Sequence, residues 1–351
     1  MELTVSPKQL QALLVPAIRE REPVLIKGKP GVGKTDIEAA AAAEAGAENL
    51  ISHPVTADPT DAKGLPWKVD GRDAATFLPY GDLEIAMKAT KPLVWFLDDL
   101  GQASPAVQAS FMQLILSRRI NGHKLPECVT FIAATNRRAD RAGVSGILEP
   151  VKSRFTILEL NTTFDDWREW AIGNSMPASL IGFLSNRPEL LTKFEATQDI
   201  TNSPCPRNWA AVGRWQAFTP SDLRIHAFAG RVGEADAAAY SGFLDMLEKA
   251  PDPDAILMDP DKAPLPDRGE PGICYAVALA LAYRATAKSF GAIATYAERM
   301  HEGELPEFST LCLRDSVRKM IDSGVTVNTL PTFQKIAGKP FVKEIFAAFT
   351  E

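Results

Sequence analysis

Residues 28–35, with the sequence GKPGVGKT, restrict this chain to a small group of folds. They fit the pattern G-x-x-x-x-G-K-[ST], in which a glycine-rich loop joins a buried strand to a helix. The apolar residues 23–26 precede the loop, and an alanine-rich helical pattern at residues 35–45 follows it and closes at Gly46. This context distinguishes a phosphate-binding loop from a chance glycine cluster. It predicts a bound nucleoside triphosphate.

The fixed positions of this loop, the Walker A motif, have separate chemical roles. Backbone N–H groups turn toward a phosphate chain, and the N-terminus of the following helix adds a favourable dipole. Lys34 is expected to reach the β- and γ-phosphates, and Thr35 to offer its hydroxyl to Mg²⁺. The predicted contacts to ATP or ADP come from Gly28, Pro30, Gly31, Val32, Gly33, Lys34 and Thr35.

Apolar runs typical of strands alternate with helical patterns up to about residue 160. The runs cover residues 24–27, 50–55, 93–97, 129–134 and 155–160. Such alternation is typical of a mostly parallel sheet that carries helices on both faces. A helical entry at residues 1–22, started by Ser6 and Pro7, is expected to pack beside the nucleotide.

Two carboxylates follow the apolar run at residues 93–97. Asp98 and Asp99 then stand at the carboxyl end of a strand, where ligands bind in open α/β sheets. Asp98 is expected to hold Mg²⁺, directly or through water, and Asp99 to polarise the water that attacks the γ-phosphate. The strand at residues 129–134 leads to Asn136, whose side chain could orient the same water.

These motifs, in this order and followed by SRF at residues 153–155, resemble the AAA+ ATPases, specifically the MoxR-like, dynein-related group with a helix-2 insert. The resemblance covers about residues 23–215 and extends to short phage-type and bacterial members. It implies an α/β P-loop fold with a five-stranded parallel sheet in the order 5-1-4-3-2. The expected division is a nucleotide-binding domain at residues 1–160, a helical lid at 161–230 and a helical extension at 231–351.

The same resemblance implies roles for three polar residues. Asn136 is identified as the sensor-1 residue, and Arg154 is similar to the arginine finger that a subunit offers to its neighbour's γ-phosphate. Arg137 and Arg138 are rival candidates, and a surface arginine or a salt bridge is the structural alternative for Arg154. Arg207 lies in PCPRNW, which resembles the P-R-x-W sensor-2 motif at the start of a lid helix; a helix-capping proline beside an exposed arginine is the alternative.

Two segments are predicted to form β-hairpins that project toward the centre of a ring. Residues 64–78 turn at Asp70-Gly71 and match the place of the helix-2 insert, and residues 118–124 turn at Asn121-Gly122 before sensor 1. Their aromatic and cationic side chains could grip a peptide or a nucleic-acid backbone, although Trp67 could equally pack the hairpin. The candidates for substrate contact are Trp67, Lys68, Phe77, Arg119, His123 and Lys124.

Composition restricts the function further. The net charge of −6 argues against a protein that coats nucleic acid, although a local basic loop remains compatible with it. The four widely separated cysteines indicate reduced, mostly buried thiols and no zinc site. No leader pattern or membrane-length apolar run is seen, so a cytoplasmic protein is expected. Residues 251–271 are expected to form an ordered or mobile linker, and residues 273–283 a buried helix.

Asp99 departs from the resemblance, since most relatives carry glutamate there, and its shorter side chain suggests slow turnover. The leading hypothesis is an ATP-hydrolysing homo-oligomer, a hexameric ring that remodels a protein partner. A von Willebrand factor A-type partner is implied by the resemblance alone. The alternatives are a nucleic-acid motor or loader and an ATP-dependent assembly scaffold; a small-molecule kinase has no need for the sensor and arginine motifs.

Overall fold

A computed structural model describes residues 3–71, 73–140, 146–195, 199–339 and 342. The chain forms two compact units. The first comprises Met1–Trp167 and Phe194–Arg207, and the second comprises Arg168–Lys193 and Asn208–Glu351. The three-part division at residues 160 and 230 stays a prediction.

The first unit is built on a parallel sheet. In chain order the described strands are β1 (Val24–Gly28), β2 (Glu48–Ser52), β3 (Leu65–Lys68), β4 (Ala75–Leu78), β5 (Leu93–Leu97), β6 (Arg119–Ile120), β7 (His123–Lys124), β8 (Val129–Asn136) and β9 (Thr156–Leu160). Five of them pair in parallel in the order β2-β5-β8-β1-β9. If these five strands alone are numbered one to five along the chain, the order read from β9 to β2 is 5-1-4-3-2, as expected. The strands β3 and β4, and the strands β6 and β7, form the two expected antiparallel hairpins.

Local sequence signals set the ends of the helices in this unit. The helices are α1 (Pro7–Glu20), α2 (Lys34–Ala45), α3 (Pro59–Lys63), α4 (Gly81–Met87), α5 (Pro105–Ser117) and α6 (Glu149–Lys152). Ser6 caps α1 in a capping box with Gln9, and Ser104 caps α5. Gly46 ends α2 in the left-handed conformation that glycine adopts without strain.

Side chains alternate between the two faces of the sheet, and each face has its own core. Val24, Val94 and Ile132 pack against α1 and α2, whereas Leu25 and Trp95 pack on the opposite face with residues of α5. This alternation follows from the two-residue period of a strand. The predicted parallel sheet with helices on both faces is therefore confirmed.

The described residues after β9 are mainly helical. The helices are α7 (Phe164–Gly173), α8 (Ala178–Asn186), α9 (Pro206–Gln216), α10 (Arg224–Val232), α11 (Glu234–Leu247), α12 (Pro253–Met258), α13 (Pro271–Tyr283), α14 (Phe290–Glu302), α15 (Pro306–Asp322) and α16 (Pro331–Ile336). As expected, α13 is largely buried. The stretch at residues 251–271 is ordered, since it contains α12 and the buried Ile256. In the described ranges, no helix is both long enough and apolar enough to cross a membrane.

Two glycines in the second unit provide a matched stability test. A Cβ at Gly182 would lie 2.7 Å from the Gly272 carbonyl oxygen and 2.8 Å from the Ala276 Cβ, whereas a Cβ at Gly242, inside α11, meets no atom within 4 Å. We expect Gly182→Ala to destabilise by roughly 1–3 kcal/mol through overpacking. Gly242→Ala should stabilise by roughly 0.5–1 kcal/mol, because alanine loses less conformational entropy in a helix. Denaturant unfolding of both variants measures this, and effects of the same sign would contradict the packing described.

Candidate active site

The phosphate-binding loop lies between β1 and α2 and depends on two glycines with positive φ. Gly31 has φ +72° and Gly33 has φ +92°, and both values would strain a residue that carries a Cβ. A Cβ at Gly31 would come within 2.6 Å of the Cys205 Sγ, while the space beside Gly33 is open to 4 Å. A side chain at Gly31 would force the Cys205 Sγ to move. The open side of Gly33 leaves room for a phosphate group.

The order of the sheet brings the other polar motifs to this loop. Gly28 at the end of β1 pairs with Asn136 at the end of β8, and β5 runs beside β8 in parallel. Parallel strands end at one edge of a sheet, so Asp98 and Asp99 follow β5 at the same edge. One cavity there is lined by Pro30, Gly31, Val32, Gly33, Lys34, Thr35, Asp98, Asp99, Asn136 and Arg207.

Lys34 is the centre of the hydrogen-bond network at the site. Its Nζ donates to the Gly28 carbonyl at 3.2 Å, the Lys29 carbonyl at 3.0 Å and the Asn136 Oδ1 at 2.8 Å. Burial lowers the pKa of Lys34 to about 8, although Asp99 and Asp98 oppose this shift. The ammonium group therefore remains mostly protonated at neutral pH and can compensate the negative charge of a phosphate.

The two carboxylates after β5 have different partners. The Thr35 hydroxyl donates to the Asp98 Oδ2 at 3.0 Å, and the Asn136 Nδ2 donates to the Asp99 Oδ1 at 3.2 Å. Asp99 takes a left-handed backbone conformation with φ 57°, which turns its side chain away from the strand repeat. Burial, together with the charge of Asp98, raises the pKa of Asp99. A raised pKa makes this carboxylate a stronger base than an exposed aspartate.

The residues present fit Mg²⁺ and a nucleotide phosphate chain. The Thr35 hydroxyl and the Asp98 carboxylate are adjacent oxygen ligands, which a hard cation such as Mg²⁺ prefers. Thr35 lies in the first turn of α2, where the helix dipole favours anions, and Asp98 lies beside it at the end of β5. Lys34 supplies the cation beside the glycine loop.

Arg207 is attached directly to the phosphate-binding loop. Its backbone N–H donates to the Gly31 carbonyl at 3.1 Å. Its charge adds to the effect of burial in lowering the pKa of Lys34, and it opposes the rise that burial causes in the pKa of Asp99. Residue 207 is the second residue of α9, which starts at Pro206. The structure therefore places the predicted sensor-2 arginine at the cavity of its own subunit.

Arg154 differs from Arg207 in its location. It is exposed just after α6, and it is not among the described residues that line the cavity. Its rival Arg137 donates two hydrogen bonds to the Asp140 carboxylate, at 2.9 and 2.7 Å, and lies 3.7 Å from Glu159. The side chain of Arg138 lies outside the described residues. Of the two candidates whose side chains are described, Arg154 is the more accessible to a second molecule.

The two hairpins contact each other. A ring nitrogen of His123 lies 2.8 Å from the Phe77 carbonyl oxygen of β4, and the Asn121 amide donates at 2.8 Å to the carbonyl of Lys63, the last residue of α3. All eight residues of β3 and β4 are exposed, including Trp67 at 62% and Phe77 at 36%. Trp67 is therefore mostly exposed on its hairpin, and its contact with a substrate stays a prediction. Lys68, Arg119 and Lys124 are also exposed, and Lys124 forms a surface ion pair with Glu127.

Two buried polar residues near the site were missed from sequence. Glu38 on α2 is fully buried; its Oε2 accepts from the Asn49 amide at 2.8 Å, and its Oε1 has no hydrogen-bond partner among the described residues. Gln108 on α5 is also buried. Both could have been found, because each interrupts the apolar stripe of its helix: Glu38 aligns with Ala41 and Ala42, and Gln108 with Phe111.

A larger cavity, of about 890 Å³, lies within the second unit between α11, α12 and the start of α13. Its lining mixes apolar residues with the carboxylates Asp252, Asp259, Asp267 and Glu270 and the cations Lys249 and Lys262. It lacks a glycine-rich phosphate-binding loop, and its four carboxylates disfavour an anion. The chemistry predicted from sequence is concentrated at the smaller cavity beside Lys34.

The fold and the site together define an α/β P-loop protein of the AAA+ class. Residues 23–155 match the family described as AAA domain (dynein-related subfamily), so this segment is an AAA domain. Nucleotide binding, and hydrolysis of ATP at the level of the family, follow from that assignment. A comparison with curated proteins gave no match.

Solved structures with a similar fold include RuvB from Thermotoga maritima. A point mutant of that protein is 18% identical, with a TM-score of 0.41, over 72% of this chain and 74% of that chain. The T. maritima RuvB Holliday junction branch migration motor is 17% identical, with a TM-score of 0.40, over 78% of this chain and 80% of that chain. Similarity at this level carries no argument about what this chain binds.

Glu38 predicts a pH-dependent stability. Burial raises the pKa of its carboxyl from 4.5 to about 7. The unfolded chain therefore loses this proton at lower pH than the folded chain. As pH rises from 4.5 to about 7, the free energy of unfolding should fall by roughly 1.4 kcal/mol per pH unit. Glu38→Gln should remove this fall, so that its stability matches the parent near pH 4.5 and exceeds it at pH 8.

Chemical denaturation across this pH range measures the effect. Glu44→Gln, on the exposed surface of the same helix, is the matched control and should keep the parental pH dependence. If the stability curves of Glu38→Gln and the parent run parallel from pH 4.5 to 8, then Glu38 does not take up a proton on folding.

Proposed function

We propose that this protein is an ATPase whose active site is completed by a neighbouring subunit of the same chain, and that it uses ATP to remodel a protein partner. The observation that carries the proposal is the division of charged groups at the site. Lys34, Asp98 and Asp99 converge on one cavity, whereas Arg154 is exposed away from it. AAA+ proteins commonly form hexameric rings, and a ring would present Arg154 to the next subunit.

The residues at the cavity can be given individual roles in hydrolysis. Lys34 and the amides of the glycine loop bind the phosphates, and Thr35 and Asp98 would hold Mg²⁺, which compensates phosphate charge when bound. Asp99 takes a proton from the attacking water while the oxygen of that water bonds to the γ-phosphorus. The bond from that phosphorus to the bridging oxygen then breaks, which yields ADP and phosphate.

Asn136 fixes the position of Asp99 and detects the phosphate end of the site. In the structure its amide lies between the Lys34 ammonium and the Asp99 carboxylate. When phosphate takes Lys34 as a partner, Asn136 loses a hydrogen bond and can turn toward the water. The shortness of Asp99 compared with glutamate is offset in part by this support and by its raised pKa.

Arg207 and Arg154 would connect hydrolysis to movement. Arg207 binds the phosphates of its own subunit while its N–H holds the loop at Gly31, so a change at the γ-phosphate acts on the start of α9. Arg154 stabilises the charge that develops on the neighbour's γ-phosphate, an effect worth on the order of 10³ or more in rate. Hydrolysis therefore depends on assembly.

The exposed hairpin supports a protein as the partner. Leu65, Trp67 and Leu78 are 43%, 62% and 45% exposed and share one face of the β3–β4 hairpin, an apolar surface suited to a polypeptide. Two cations of the hairpin at residues 118–124 already have partners within the chain: the Arg118 guanidinium donates to the Pro126 and Val129 carbonyls, and Lys124 pairs with Glu127. The partner would be of the von Willebrand factor A type if the MoxR-like resemblance extends to it.

The role of Arg154 is tested by alanine substitution. Arg154→Ala should lower ATP turnover by on the order of 10³ while nucleotide binding and assembly remain, because the cation acts on developing charge. Lys152→Ala is the matched control, since Lys152 is a cation of the same segment that pairs with Glu149 at the surface. Turnover of the assembled protein is the measurement. Unchanged turnover for Arg154→Ala, or for Lys34→Ala, contradicts the proposed site.

The client surface is tested in a hydrolysis-deficient background. Asp99→Asn protein purified with ATP from its native host should retain both the assembly and its client. Adding Trp67→Ala should release the client but keep the assembly, because it removes the most exposed aromatic of the hairpin. Phe218→Ala, which removes a side chain that is 65% exposed in the second unit, is the control. Nucleic acid as the retained species, or equal retention by both variants, contradicts a protein client held by this hairpin.

A further inference from the structure

Gln108 is a buried amide whose hydrogen bonds join two distant segments of the first unit. It is 1% exposed, on the face of α5 that packs against the sheet. Its Nε2 donates to the Ala103 carbonyl at 3.1 Å and to the Gly146 carbonyl at 2.8 Å, and its Oε1 accepts from the Leu148 N–H at 2.9 Å. Both amide hydrogens and the amide oxygen are therefore used.

One end of this connection leads along the chain to the active site. The chain runs from Asp99 through a buried turn at Leu100–Gln102 to Ala103, and Ser104 then caps α5. Leu100 and Ala103 are fully buried in the same core as α5. The position of Gln108 is thus fixed relative to the catalytic carboxylate.

The other end leads to the exposed arginine. Leu148 is the N-cap of α6, and Arg154 follows two residues after that helix. Val151 and Phe155 on either side of Arg154 are buried in the core that contains Val107 and Phe111 of α5. Gln108 supplies the polar attachment of this segment at its start, and the apolar residues attach its end.

We propose that Gln108 is a positioning residue for the arginine finger. It holds the segment that carries Arg154 in a fixed relation to Asp99 of the same subunit, so that the finger offered to the next site moves with the local catalytic carboxylate. This inference rests on the proposed function of Arg154. A small displacement of a catalytic group costs on the order of 10–100-fold in rate, so loss of this attachment should be measurable.

Mixed assemblies separate this role from general stabilisation. Donor subunits carry Asp99→Asn, which leaves Arg154 in place, and acceptor subunits carry Arg154→Ala, which leaves their own site in place. Mixing the two should restore ATP turnover, because donor fingers complete acceptor sites. Gln108→Met fills a similar volume but removes the three hydrogen bonds, and it is introduced into donors or acceptors separately.

The proposal predicts an asymmetric result. Donors with Gln108→Met should restore at least tenfold less turnover than donors with Gln108, on the order expected for a misplaced group. Acceptors with Gln108→Met should be stimulated normally by unchanged donors, within about twofold, since their own finger is already absent. Equal restoration by both donors, or an equal loss in donors and acceptors, would overturn the positioning role.

Failure of the proposed function gives a different result. If donors and acceptors that both carry Gln108 restore no turnover, then Arg154 does not act between subunits, and the inference fails with it. If Gln108→Met subunits lose nucleotide binding, Gly146→Ala is used in their place. This change keeps Gln108 but strains the backbone at the carbonyl that accepts from it, because Gly146 has φ +104°. The same donor-specific loss is expected, and its absence would overturn the proposal.

Discussion

The parallel register of three neighbouring strands, β1, β8 and β5, is the constraint on which the site depends. It sets Gly28 opposite Asn136 and Leu97 opposite Ala133, so the glycine loop, the Asn136 amide and the two carboxylates leave the sheet at one edge. Parallel strands need crossover connections, and each crossover here returns a helix to one face of the sheet. A one-residue slip of β8 would reverse its side chains and move Asn136 away from Lys34.

Hydrogen bonds connect the network at that edge to the rest of the chain at two points. Through the Gly31 carbonyl and Arg207, it reaches the start of α9; through Ala103 and Gln108, it reaches the segment that carries Arg154. Both connections use backbone groups, which side-chain substitutions elsewhere leave in place. The phosphate site is therefore attached to one arginine of its own cavity and, in the proposed assembly, to one that serves another cavity.

Short-range patterns made much of the fold and the site predictable. The glycine loop, the strand-ending Asp98 and Asp99, and the hairpin turn at Asn121-Gly122 each depend on a few adjacent residues. The hydrogen bond from Lys34 to Asn136 could not be predicted, since it joins residues 102 positions apart. The sequence also left open whether Trp67 is exposed or packed, because a large aromatic usually gains free energy by burial. The burial of Glu38 and Gln108 could be predicted from their positions in the apolar stripe of a helix, but their hydrogen-bond partners could not.

In the proposed assembly, one subunit cannot complete its own active site. ATP turnover per subunit, measured as protein concentration is raised through the range in which sedimentation shows assembly, tests this directly. Turnover should be low for the separate chain and rise in step with the assembled fraction, since each site then gains a neighbour's arginine. Turnover per subunit that stays constant from the separate chain to the assembly would contradict it.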